Sequence, residues 1–297
     1  MTIEKRPEPP SGLDAAVERI ARVLEGECWG GGERRVQRVV IDSRQAGPGD
    51  LFVALPGERT NGHVFVQKAL EQGAAGALVG RGWRPVPGCP LEGVICVPDP
   101  LLALGKLGAW RRNQFGGPVV GVTGSVGKTT TKDLLAAVLG RRGNVLKSTG
   151  NWNTEIGVPL TLLALNPSHG AAVIEMAMRG SGQIAYLAAM ARPEIGVVTH
   201  IGSSHLELLG SRDAIAAAKA ELLDYLPWQG TAVLPSHGPY GAFLRSRVPP
   251  GTGVIGFGDT RTDLLEPQVV GIPLGLSAPD DRSVPGQGWR TRFRAVE

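Results

Sequence analysis

Cysteine is scarce in this chain. Its 297 residues hold three, Cys28, Cys89 and Cys96, and no two form a C-x-x-C pair or a metal-ligand spacing. That excludes a disulfide scaffold or a zinc ribbon and fits a reducing compartment, so the cytoplasm is the expected location. Aromatic residues make up only 5%, and Lys and Arg are scattered. A stacking surface for single strands, or a basic face for duplexes, is thereby excluded, and no nucleic-acid partner is expected. No apolar run approaches the ~20 residues of a membrane span, so no membrane insertion is expected. The first residues contain no apolar h-region, so no secretory signal is read there. Internal repeats and low-complexity segments are absent from the sequence.

Glycine and proline, by contrast, are plentiful at 43 and 23 residues, spread through the chain as many tight loops. Hydrophobic content of 42% and charged content of 20% are those of a globular protein. The length suits about two domains. Net charge is +4, a weak bias towards anionic ligands.

Apolar spacing predicts a helix over 13–25, strands over 36–41 and 51–55, a helix over 63–72, and short strands over 77–79 and 94–97. Residues 100–115 read as a linking helix. From residue 118 onwards strands and helices alternate: strands at 119–122, 144–147, 171–175, 195–199, 231–234 and 254–257, with helices at 156–165, 183–191 and 213–226 between them. Short strands follow at 269–272 and 289–295. The expected fold is α/β: a small N-terminal α/β module over 1–105, then a P-loop-type, mostly parallel sheet with helices on both faces over 106–297.

The most informative stretch is Gly121-Val122-Thr123-Gly124-Ser125-Val126-Gly127-Lys128-Thr129-Thr130. It follows the apolar run 118–120 and opens a helical pattern, so it reads as strand, glycine-rich loop, helix. Such a loop lets backbone N–H groups curl around an anion at the positive end of the new helix. Gly124, Ser125, Val126, Gly127, Lys128, Thr129 and Thr130 are the candidate nucleotide-phosphate contacts, with Lys128 on the outer phosphates and the Thr129 hydroxyl on a phosphate-bound magnesium. The general P-loop pattern asks for glycine where Val122 stands.

Further candidates fall at the carboxyl ends of strands, where open α/β sheets bind ligands. Glu175 closes an apolar strand and reads either as a magnesium-holding acid or as a solvated strand end. His205 lies beyond strand 195–199 and reads as a metal or phosphate contact or as a loop residue, with His200 competing. Lys219 shares a helical stripe with Ile215, Leu222 and Leu223. It reads either as a snorkelling side chain or as a desolvated amine able to take up carbon dioxide as a carbamate. Asn151, Asn153 and Glu155 follow strand 144–147 beside the phosphate loop, as a polar turn or as substrate contacts.

Taken together these segments resemble the Mur ligase family. The likeness is carried by the phosphate loop through Lys132, by 150–161, 173–180 and 201–211, by Ala218-Lys219-Ala220-Glu221-Leu222, and by Asp42-Ser43-Arg44 with 48–55. It covers roughly 36–260. It implies an ATP-dependent carboxylate–amine ligase that joins D-alanyl-D-alanine to UDP-MurNAc-tripeptide through an acyl phosphate. The process implied is peptidoglycan precursor synthesis, and with it cell-wall biogenesis, cell shape and cell division. The resemblance further implies ATP and Mg2+ as cofactors and a monomer. Lys128, Lys219 and His205 would be catalytic, Thr129, Glu175, His205 and a carbamylated Lys219 would serve the metal, and Asp42, Ser43 and Arg44 would contact the nucleotide-sugar. The 151–155 segment favours this activity over the amino-acid-adding Mur ligases and folylpolyglutamate synthase. Ala177, His200, Ser203 and Ser204 depart from the family pattern. The family's adenine-contacting segment and Rossmann-like C-terminal domain have no counterpart before Glu297, so a truncated chain of impaired activity, or one that only binds nucleotide, is expected.

Overall fold

The computed structural model describes residues 12–31, 33–57, 60–204, 206–236, 238–258, 269–272 and 292–295. Two sheets organise them. The N-terminal sheet runs in the spatial order Glu27–Trp29, Val94–Val97, Gly76–Gly80, Asp50–Val53, Arg38–Val40. Its pairs are parallel except at Glu27–Trp29, an antiparallel edge strand that the sequence reading did not anticipate. Both faces are covered, which is why its inner strands are continuous apolar runs rather than alternating ones.

The second sheet has eight strands. Val119–Thr123 lies inside it, with His169–Glu175 and then the edge strand Asn144–Lys147 on one side. Ile195–Val198, Thr231–Pro235, Gly253–Gly258, Val269–Ile272 and Arg292–Ala295 lie on the other. All neighbours are parallel except the last pair. The chain leaves Val119–Thr123 for one edge, returns, and then builds the other half. The loop after Val119–Thr123 therefore sits where the strand order reverses, the place at which such sheets form a binding crevice.

Several elements depart from the periodicity reading. Residues 13–25 begin as the strand Ala15–Ala16, paired with Arg35–Val36, and become helical only at Val17–Leu24. The strand expected over 36–41 breaks at Gln37, because the N–H groups of Gln37 and Arg38 both donate to the Gly49 carbonyl, at 2.7 and 3.2 Å. The helix expected over 213–226 ends at Ala220 and passes into the 3-10 turn Leu223–Tyr225. Pro227 follows, and the residue before a proline avoids helical geometry; Leu226 is extended accordingly. Leu206–Leu209 and Gly241–Ser246 are helices too short to leave a periodic signal. The strand read over 289–295 is present as Arg292–Ala295, and residues 289–291 lie outside the described residues.

The helix Pro100–Arg112 locks the two sheets together. Asp99 caps it, its carboxylate accepting from the N–H groups of Leu101 and Leu102 at 2.7 and 3.2 Å, and Pro100 occupies the first turn. Its Leu104 and Leu107 share one core with Ile20, Leu51 and Ile95 of the first unit and with Leu160 and Leu163 of the second. At its end the buried Arg112 guanidinium donates to the Ala191, Phe115 and Arg192 carbonyls and to Glu194. Glu194 in turn accepts from the Val119 N–H at 2.7 Å, so the base of the phosphate-loop strand is tied to this helix. The three cysteines are unpaired. Among the described residues no helix is long and apolar enough to cross a membrane.

Gly108 is a close point of this packing: a Cβ there would stand 2.7 Å from Pro159 Cβ. Gly108→Val is therefore expected to lower the unfolding free energy by about 2 kcal/mol, read from the midpoint of a urea titration. An unchanged midpoint would disprove the close helix contact.

Candidate functional site

The phosphate loop leaves the sheet at Thr123 and enters the helix Lys128–Leu139. Gly124 and Gly127 have φ of +149° and +87°, in the region that favours glycine. Gly124 is doubly constrained, since a Cβ there would meet the Thr199 hydroxyl oxygen at 1.9 Å. Ser125 is buried, whereas Val126, Thr129 and Thr130 are exposed at the mouth of the loop. The Lys128 ammonium curls back and donates to the Gly124 carbonyl at 2.8 Å. Burial pulls its pKa down, and the nearby Glu175 carboxylate opposes that shift.

Glu175 ends the adjacent strand, 2% exposed. One carboxylate oxygen accepts from the Asn153 side-chain amide at 2.8 Å, and its backbone N–H donates to the Ser148 hydroxyl at 3.0 Å. The other oxygen, Oε2, is buried without a hydrogen-bond partner. Its nearest charge is the Lys132 ammonium at 3.6 Å. Lys132, also 2% exposed, lies 3.4 Å from the Gly150 carbonyl and 3.8 Å from Asp133. Sequence reasoning missed Lys132, although the signal was present: four residues after Lys128 it must share that lysine's helix face.

Lys219 occupies the last turn of the helix Arg212–Ala220, which Ser211 caps. It is 2% exposed, and burial first, then the Lys128 charge, lowers its pKa to about 8. The snorkelling reading is thereby set aside, since a 2% exposed side chain keeps no ammonium in water. Glu175 and Lys219 thus each lie within electrostatic reach of Lys128 at one end of the sheet.

The remaining candidates divide. Asn153 joins the site through Glu175, so its amide is committed inside the protein, and its own carbonyl accepts from the Ala177 N–H at 2.8 Å. Asn151 is exposed. Glu155 lines a separate cavity of ≈ 280 Å³ with Leu101, Leu102, Gln183 and Tyr186. Asp42, Ser43 and Arg44 belong to the N-terminal unit, in the 3-10 turn after the strand Arg38–Val40. There Asp42 caps the turn and pairs with Arg44 at 2.6 Å, while Ser43 is buried. His205 lies outside the described residues. The side chain of His200 is exposed, and its carbonyl accepts from the Ser125 N–H at 2.8 Å. No group of three or more His, Cys, Asp or Glu side chains is placed to hold a metal ion among the described residues. The oxygen donors that remain, Glu175 Oε2 and the exposed Thr129 hydroxyl, suit a hard cation that keeps most of its own water or phosphate ligands.

The depressed pKa of Lys219 has a consequence for stability. Unfolding returns the amine to its ordinary value of 10.5. Between pH 8 and 10.5 the unfolded chain then binds more protons than the folded one, and stability should rise with pH across that window. Below pH 8 the burial penalty is present in full. Lys219→Met is expected to flatten this rise in urea titrations at pH 7, 8.5 and 10. An equally steep rise in the variant would show that another group is responsible.

Two family profiles match the sequence: "Mur ligase middle domain" over residues 122–268 and "Mur ligase family, catalytic domain" over 35–83. The UDP-N-acetylmuramoyl-tripeptide--D-alanyl-D-alanine ligase of Synechocystis sp. is 48% identical over 206 residues, 67% of this chain and 44% of that protein. Its Bacillus subtilis counterpart is 44% identical over 225 residues, 74% and 48% respectively. Among solved structures, MurF from Acinetobacter baumannii superposes with a TM-score of 0.78 at 32% identity, covering 87% of this chain and 55% of that one. MurF from Thermotoga maritima in complex with ADP does so with a TM-score of 0.70 at 35% identity, covering 79% and 52%. The chain spans about half the length of the curated relatives it matches. On these profiles, sequences and superpositions, the chain belongs to the Mur ligase family.

Proposed function

We propose that this chain carries the nucleotide- and acceptor-binding part of an ATP-dependent ligase that joins D-alanyl-D-alanine to UDP-MurNAc-tripeptide in peptidoglycan precursor synthesis. The observation that supports this most is that Lys132 and Lys128 gather around one buried carboxylate, Glu175, with Lys219 beside Lys128, next to a glycine loop at the head of a helix. Three ammonium groups against one buried carboxylate, with Asp133 exposed to water, leave an excess of positive charge at this end of the sheet. A nucleotide polyphosphate matches that excess, and the helix N-terminus adds to the attraction.

In the proposed reaction the terminal carboxylate of the acceptor peptide attacks the γ-phosphorus of ATP. The bond to ADP breaks and an acyl phosphate forms. The amine of D-alanyl-D-alanine then attacks the acyl carbon, an amide forms, and phosphate leaves with the proton released from the amine. The Lys128 ammonium stabilises the charge that spreads over the transferring phosphoryl oxygens. The Thr129 hydroxyl and the Glu175 carboxylate would hold magnesium, which when bound supplies further charge neutralisation at the phosphates. With a pKa of about 8, Lys219 is neutral in roughly a tenth of molecules at pH 7. The ammonium group, having lost one proton, can add carbon dioxide and release a second as the carbamate forms, turning a cation that repels Lys128 into an anion that attracts it. We place the activity in the cytoplasm, with Asp42, Ser43 and Arg44 as contacts of the nucleotide-sugar and Asn151 and Glu155 as contacts of the peptide.

Calorimetry with ADP and magnesium tests the core of this reading. The chain should bind ADP, and Lys128→Ala should weaken that binding by roughly a hundredfold, the loss of a charge-assisted contact to phosphate. Equal ADP affinity in the two proteins would refute it. UDP-MurNAc-tripeptide should bind more tightly than the UDP-MurNAc-dipeptide in the same instrument, and the reverse order would point to an amino-acid-adding ligase.

A further inference from the structure

The phosphate loop is shaped from the neighbouring strand. Thr199, just beyond the strand Ile195–Val198, places its hydroxyl 2.7 Å from the Val126 carbonyl and 3.2 Å from that of Thr123. A hydroxyl has one proton, so the shorter contact is the bond it donates, with Thr123 as the weaker acceptor. Ser204 donates to the Ser125 carbonyl at 3.3 Å, and the Gly202 N–H donates to the Ser125 hydroxyl at 2.9 Å. The segment 199–204 therefore ties down two consecutive loop carbonyls, those of Ser125 and Val126.

The geometry of the peptide unit gives these ties a direction. In a trans peptide the C=O and the N–H of the following residue point opposite ways, and no cis bond occurs among the described residues. Drawing the Ser125 and Val126 carbonyls towards Thr199 and Ser204 turns the N–H groups of Val126 and Gly127 to the other side. Neither N–H has a hydrogen-bond partner among the described residues. The preceding unit is spent: the Gly124 carbonyl accepts from Lys128, and the Ser125 N–H donates to the His200 carbonyl. The Val126 and Gly127 amides, with those of the first helical turn, are thereby left to meet an anion.

We propose that Thr199 is a positioning residue of the phosphate site: its hydroxyl, by holding the Val126 carbonyl, aims the Gly127 N–H at the nucleotide's phosphates before they arrive. The proposal rests on the nucleotide-binding reading and adds to it the residue that presets the loop. Ser204 acts in the same sense through the Ser125 carbonyl. Gly124 is required at the same place, because any side chain there would displace the Thr199 hydroxyl.

Two measurements test this on the whole chain. Thr199→Val keeps the shape and removes the donor; Thr199→Ser keeps the donor and removes a methyl; Thr199→Ala is a second donor-free variant should the valine protein fail to fold. In calorimetry with ADP and magnesium, the donor-free variants should bind roughly tenfold more weakly than the unaltered chain, and Thr199→Ser should stay within about twofold of it. In the nucleotide-free protein, amide hydrogen exchange over 124–131 should be faster in the donor-free variants and unchanged in Thr199→Ser. ADP affinity in Thr199→Val equal to that of the unaltered chain, or a serine variant as weak as the valine one, would overturn the proposal. Should the unaltered chain fail to bind ADP, the nucleotide reading falls by itself. The exchange comparison then still decides on Thr199, with unchanged loop exchange in both donor-free variants counting against it.

Discussion

An imbalance of buried charge governs this protein. Lys132, Lys219 and Glu175 are each 2% exposed, and Lys128 is half-buried beside them. Desolvating an ion is expensive, on the order of several kcal/mol each even after relaxation. The single buried carboxylate sits 3.6 Å from Lys132 and keeps one oxygen without a hydrogen bond, so the cluster is not closed on itself in the manner of a structural ion pair. Apolar side chains would stabilise such a position better. The arrangement instead leaves net positive charge at this end of the sheet, of the kind an anion would offset. Lys128 and Lys219 share the burden as depressed pKa values, which is how desolvated ammonium groups lower their cost.

The fold concentrates these groups by topology rather than by local preference. Parallel strands deliver all their carboxyl ends to one edge, and the reversal of strand order beside Val119–Thr123 opens a gap there. Glu175 arrives from one neighbouring strand and the Thr199 clamp from the other. The helix Pro100–Arg112 then sets the N-terminal unit against this sheet through a common apolar core, and its terminal guanidinium reaches Glu194 and, through it, the first residue of the phosphate-loop strand. Stability at the base of the sheet and geometry at its active edge are therefore mechanically linked through a strand of five residues.

Long apolar runs were legible as buried parallel strands because a strand covered on both faces has no polar side to display, and the second unit was read nearly strand for strand. What periodicity could not convey was where pairing partners intervene. Gln37 interrupts a run that looks continuous because a distant carbonyl, that of Gly49, takes two successive N–H groups. The strand Glu27–Trp29 exists because an edge at Val94–Val97 was available to it. Short helices of four and six residues leave no repeat to detect.

At the site the division is similar. Residue types and their spacing along the chain were enough to specify a glycine loop, its lysine, a strand-end acid and a lysine on an apolar stripe, because those features depend on backbone freedom and helical period alone. Tertiary structure decided that Asn153 serves Glu175, that Lys132 lies buried against the same carboxylate, and that Thr199 holds the loop from another strand. Each of these depends on atoms brought together from separated parts of the chain across a parallel sheet. A linear pattern encodes which face a side chain takes, but the partner opposite that face exists only once the strands have been ordered.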